Sequence, residues 1–202
     1  MDRVNDRAML VGKVAVEPEL SHTGRDGEYY RFPLDVERLS GTVDRVNVLA
    51  KGELLESFKL NEGDSVRVRG EMRSFNNRSG VGAKLVIYVL ARELEYYPGE
   101  PENEIFLSGT IVKQPIYRRT PMGREICDLM LAVQRRYHRS DYLPVIVWGA
   151  RAREAAEWRV GDRAELVGRL QMRKYIKNEN GTETEKTAYE ISASEISLCE
   201  DY

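Results

Sequence analysis

Two stretches of the chain gather cations among aromatic side chains. Between positions 118 and 139 stand six arginines, Arg118, Arg119, Arg124, Arg135, Arg136 and Arg139, against two acids, Glu125 and Asp128. Between positions 169 and 177 stand Arg169, Arg173, Lys174 and Lys177 with no acid. Tyr117, Tyr137 and Tyr175 interleave with these cations. A flat ring offers any nucleobase a stacking surface worth about 1–3 kcal/mol, while guanidinium and ammonium groups follow phosphates. This pattern is the one expected of a groove for a single nucleic-acid strand. Each part also has a plainer reading, since strand aromatics commonly fill cores and arginine clusters commonly face solvent. The density of cations around the rings favours the groove.

No catalytic constellation accompanies them. His22 and His138 lack partners at ligand spacing, and neither a Walker loop nor a GxSxG elbow occurs. Cys127 lies in a strand pattern and reads as a small core residue. Neither an enzyme, a metal site nor a cofactor is therefore expected. Two cysteines, Cys127 and Cys199, cannot frame a disulfide scaffold. Thirty-one Lys and Arg against 33 Asp and Glu leave a net charge of −2. That excludes a strongly basic binding domain, so any nucleic-acid surface must come from local clustering. The charged start lacks the apolar core of a signal peptide, and no window reaches the ~18 apolar residues of a membrane span. A cytoplasmic, nucleoid-associated location is expected.

The chain repeats itself. Gly12 to Pro18 aligns with Gly109 to Pro115, Thr23 with Thr120, and Val48 to Gly52 with Val145 to Gly149, all 97 residues apart. Phe32, Leu34, Val36 and Arg38 match Leu129, Leu131, Val133 and Arg135 at the same spacing. Farther on the offset is 98, as for Gly63 with Gly161 and Gly70 with Gly168. A period near 100 is a domain length, so the chain reads as a duplicated domain, 1–97 and 104–202. The join at 98–103, rich in Pro, Gly and Glu, has linker composition.

Within each repeat, alternation at period two marks five strands. In the first repeat they cover 8–16, 30–38, 43–50, 65–75 and 84–94, with a helix at 53–58. In the second they cover 105–112, 126–136, 143–148, 164–175 and 186–198, with a helix at 150–158. Three strands, a short helix, then two strands is the order of an OB fold, a five-stranded Greek-key barrel. The fold class expected is all-β, with two tandem OB folds. Gly12, Gly70, Gly109 and Gly168 fall inside strands, where a small barrel needs bends. Val145 and Val147 share one strand face, and Ile146 and Trp148 share the other. Trp158, in the helix, reads as core.

Over most of its length the second repeat resembles the bacterial single-stranded DNA-binding protein (SSB) family. The pieces that carry the resemblance are Gly109 to Pro115, Arg119 to Gly123, Leu129 to Arg135, Val145 to Gly149, Gly161-Asp162 and Gly168 to Tyr175. The resemblance implies sequence-nonspecific binding of single-stranded DNA in replication, repair or recombination. It implies base stacking on Tyr137, Tyr142, Trp148 and Tyr175, with phosphates held by Arg118, Arg119, Arg124, Arg135, Arg136, Arg139, Arg173, Lys174 and Lys177. It also implies four OB folds per assembly, hence a homodimer of this two-fold chain.

The first repeat departs from that pattern. Arg45 and Lys51 stand at the positions of Tyr142 and Trp148, and Asn77 near that of Tyr175. Tyr29, Tyr30 and Phe75 are its remaining platforms, and its charge is balanced, so an auxiliary role is expected. The chain ends at Glu200-Asp-Tyr202 without the acidic recruitment tail typical of the family, which suggests a specialised paralogue. Two other readings stay open. One is a protein-interaction scaffold of a primosome or recombination complex with weak DNA binding, since fold alone never fixes function. The other is RNA binding, since stacking accepts either nucleic acid.

Overall fold

A computed structural model describes residues 5–78, 83–135, 139–179 and 182–199. They divide into two compact units. One comprises Arg7–Arg73 with Ile87–Glu104, and the other joins Ser74–Val86 and the residues before Arg7 to the chain from Ile105 onwards.

In the first repeat the strands are β1 (Asp6–Val14), β2 (Glu19–Gly24), β3 (Gly27–Glu37), β4 (Val43–Lys51), β5 (Ser65–Asn76) and β6 (Leu85–Tyr96). β1 pairs antiparallel with both β3 and β5, β3 with β4, and β4 runs parallel to β6 at Val48↔Val89. β6 neighbours β5, which closes the barrel. Alternation explains the filling. Phe32, Leu34 and Val36 of β3, Val46 and Val48 of β4, and Val66 and Val68 of β5 are all buried, while the residues between them are more exposed.

The second repeat uses β7 (Glu102–Ile111), β8 (Ile116–Arg119), β9 (Glu125–Gln134), β10 (Ser140–Trp148), β11 (Arg163–Glu179) and β12 (Thr182–Leu198) in the same order. β7 pairs with β9 and β11, β9 with β10, β11 with β12, and β10 lies parallel to β12 at Val145↔Ile191. Leu129, Leu131 and Val133 meet Leu143, Val145 and Val147 in its core. Closing so small a barrel brings backbones together. A Cβ at Gly168 would sit 2.5 Å from the Ser192 carbonyl oxygen, so only glycine fits there, and the β11–β12 register shifts at that residue.

The all-β OB architecture expected from alternation is the one observed. A helix joins the third and fourth barrel strands in each repeat, α1 (Gly52–Leu55) and α2 (Ala150–Ala156). Both are shorter than their patterns suggested, and α1 is a single turn without a side-chain cap. α2 buries Ala152 and Ala155 beside Trp158, which is core. Alternation did not mark β2 and β8. Their residues are almost wholly exposed, so no core face imposes a period on them. Each is the short outer arm of a hairpin, paired to β3 or β9.

Candidate nucleic-acid interface

The residues of β10 separate by parity. Leu143, Val145 and Val147 enter the core, and Tyr142, Pro144, Ile146 and Trp148 take the outer face. Tyr142 is 48% exposed and Trp148 half-buried. The indole Nε1–H of Trp148 donates to Ser192 Oγ at 3.0 Å, which fixes the plane of the ring against β12. Ser192 is itself buried. Next on the same face of β12 is Glu190, whose carboxylate accepts from Gln171 Nε2 at 2.8 Å. β11 continues this face with Arg169, Gln171, Arg173 and Tyr175, opposite Ser192, Glu190, Ala188 and Lys186. Tyr175 is 37% exposed, with the Arg173 guanidinium 5.5 Å from its ring centroid. Arg173 also lies 3.8 Å from Glu190.

β8 and β9 add the other edge. Arg118 stands opposite Ile126, which in turn is opposite Trp148. Its guanidinium is bidentate on Asp128, at 2.6 and 3.2 Å. This pairing, with a smaller contribution from Glu190, pushes Arg118 above its ordinary pKa. Among the described residues, one outer face thus carries three rings, Tyr142, Trp148 and Tyr175, and three arginines, Arg118, Arg169 and Arg173.

The other expected cations are distributed differently. Arg119 projects from the opposite face of β8 beside Tyr117 and Glu125, with its guanidinium 3.4 Å from the Glu125 carboxylate. The Tyr117 hydroxyl donates to Glu125 at 2.6 Å, which with Arg153 and Arg119 holds that carboxyl below its usual range. Arg124 closes the β8–β9 turn at the exposed tip, its N–H donating to Thr120 Oγ1 at 3.0 Å. Arg139 is exposed at the start of β10. Lys174 lies on the opposite face of the β11–β12 ribbon from Tyr175, 3.0 Å from Glu185. Lys177 falls in β11, but its side chain, like Tyr137 and Arg136 as a whole, lies outside the described residues.

Arg135 does something else. It donates through Nε and Nη2 to Asp141, which is fully buried and also accepts the Ser74 N–H at 2.6 Å. The same clamp recurs 97 residues earlier, where Arg38 holds buried Asp44 through two 2.6 Å bonds. In both repeats the arginine N–H bonds a carbonyl across the turn, Arg38 to Thr42 and Arg135 to Arg139. Arg135 is thereby engaged in closing the β9–β10 hairpin. Asp44 and Asp141 share the repeat spacing, and that was the available sign of this pair. Ser192, Asp128 and Glu190 had no comparable sign, because their roles depend on cross-strand neighbours.

The first repeat presents a different outer face. Where the second has Ala132 beside Tyr142, the first has Asp35 beside Arg45, joined by two 2.8 Å bonds. Lys51, at the Trp148 position, donates to Glu53 at 3.3 Å and lies 3.8 Å from Asp26. The Tyr29 hydroxyl donates to Asp26 at 3.0 Å and its ring stacks on His22, while the Tyr30 hydroxyl donates to Glu28. Phe75 is half exposed.

Paired rings and guanidiniums on the outside of a closed five-stranded barrel place the chain among OB-fold proteins with a surface suited to nucleic acid. Residues 102–199 match the model of the "Single-strand binding protein family". A single-stranded DNA-binding protein of Thermus thermophilus is 38% identical over 200 residues, covering 84% of this chain and 75% of that one. One of Deinococcus radiodurans is 27% identical over 206 residues, covering 84% of this chain and 68% of the relative. The crystal structure of wild-type single-stranded DNA binding protein from Thermus aquaticus superimposes with a TM-score of 0.78 at 22% identity, covering 98% of this chain and 94% of that one. The chain belongs to the single-strand binding protein family.

Proposed function

We propose that this chain binds single-stranded DNA without sequence preference, through the outer face of β10, β11 and β12. The observation that carries the reading is that face itself: Tyr142, Trp148 and Tyr175 expose ring surface beside Arg118 and Arg173. Bases stack on the rings, and phosphates run along Arg118 and Arg173 and out to Arg124 and Arg139 at the hairpin ends. Tyr137, Arg136 and the Lys177 side chain, outside the described residues, are further contacts of this reading, with Lys174 serving a strand that wraps the ribbon. Relatives named as single-stranded DNA-binding proteins support the ligand class. Replication, repair and recombination are the processes in which such a protein serves.

The two domains of this reading are 1–97 and 104–202, each an OB fold. The first is auxiliary, because its matching face is closed by the Arg45–Asp35 and Lys51–Glu53 pairs. Four OB folds per assembly call for a homodimer, seen in light scattering as twice the 23.2 kDa of one chain. No helix among the described residues is long and apolar enough to cross a membrane, and the protein works on DNA in the cytoplasm.

The test is fluorescence anisotropy of oligo(dT) across a salt series with a duplex control. The reading expects tight single-strand binding that falls with salt, at about 0.7 in log–log slope per phosphate neutralised. Equal affinity for duplex, or no single-strand binding at moderate salt, would overturn it. A matched oligo(U) competitor separates DNA from RNA.

A further inference from the structure

Two carboxylates stand in the middle of the face assigned to bases. Asp128, on β9, lies opposite Ile146 and holds Arg118. Glu190, on β12, is next to Ser192 on the Trp148 side and holds Gln171 and Arg173. Its side chain is 12% exposed and that of Asp128 36%. Arg118 and Arg173 are thus each already matched by an acid within the protein, in keeping with a chain whose net charge is −2. For a surface whose affinity rests on phosphate attraction, that arrangement is a cost.

We propose that Asp128 and Glu190 set selectivity for single strands by opposing duplex DNA. This rests on the stacking reading above. A single strand lays its bases over Tyr142, Trp148 and Tyr175 and carries its phosphates past Arg118 and Arg173 out to Arg124 and Arg139. The acids then face bases, which are neutral and carry N–H donors a carboxylate accepts. A duplex keeps its bases stacked inside and offers phosphates, one charge per ~1.7 Å of axis. On the same face those phosphates meet two like charges. The acids therefore act as a repulsive element against the wrong ligand while costing the right one little.

The experiment compares wild type with Asp128→Asn/Glu190→Gln. Both replacements are near-isosteric and keep an acceptor oxygen for Arg118 and Gln171. Anisotropy is read on fluorescent oligo(dT) and on a fluorescent blunt duplex of mixed sequence, at low and moderate salt. The duplex should bind roughly 3- to 30-fold tighter to the variant, as expected from removing two partly exposed like-charge interactions, while oligo(dT) changes by less than about 3-fold. An unchanged duplex affinity, or equal tightening on both ligands, overturns the proposal. Asp128→Asn alone, expected to give about 2- to 5-fold on the duplex, carries the test if the double variant does not melt cooperatively. Failure of wild type to bind oligo(dT) is a separate result, and sinks the stacking reading beneath this one.

Discussion

Replacing Asp141 by Ala should unfold the second barrel at markedly lower temperature. Asp141 has no exposed surface, receives two guanidinium bonds from Arg135, and accepts the N–H of Ser74, a buried residue. Removing one partner of a buried ion pair costs about 3–5 kcal/mol when the other charge is stranded. The Arg135 side chain is 27% exposed and can rehydrate in part, which lowers that figure. The orphaned Ser74 N–H adds back about 1–3 kcal/mol. A net loss of about 3–5 kcal/mol should lower Tm by roughly 6–20 °C for a chain of this size. Trp148 and Trp158 are the only tryptophans and both lie in the second repeat, so intrinsic fluorescence follows that unit. Arg135→Met/Asp141→Leu should lose less than Asp141→Ala, because no charge is left unpaired. A Tm shift under about 3 °C for Asp141→Ala would refute the clamp and return Arg135 to the phosphate-binding set.

Three further outcomes follow from the geometry. Ser192→Ala frees the Trp148 indole and should shift its emission and weaken oligo(dT) binding about 2- to 10-fold, the value of one hydrogen bond, while Ser192→Thr restores both. Arg173→Ala should reduce the single-strand salt slope by about 0.7, read from affinities between low and moderate salt. Burial, the main cause, pushes the Cys127 thiol up to about 11, so in the folded protein it should resist iodoacetamide at pH 8 while partly exposed Cys199 reacts first, as peptide mass mapping would show.

Legibility followed burial. Strands with one face in the core, such as β9 with Leu129, Leu131 and Val133, imposed period two on the sequence and could be read from it. β2 and β8 bury almost nothing, so hydrophobic period could not mark them. The far end of the β11–β12 ribbon, from Tyr175 to Glu179, is similarly polar and ran past its expected end. The internal repeat was legible because Gly12, Gly109, Gly70 and Gly168 all stand at close backbone approaches that a side chain would block. Of the candidate face, the residue types were legible and their partnerships were not. Cation density marked β8, β9 and β11, yet it could not separate Arg173, which shares a face with Tyr175, from Lys174, which does not. Nor could it show Arg118 held by Asp128, because that pair exists only once β8 folds beside β9.

The most direct test of the account is the affinity of Trp148→Ala for fluorescent oligo(dT), beside wild type and Trp148→Phe, with unfolding curves to confirm the fold. Loss of one stacking platform should weaken the alanine variant about 5- to 150-fold, and the phenylalanine variant much less. An alanine variant that folds normally and binds as wild type does would contradict the claim that this face holds the bases.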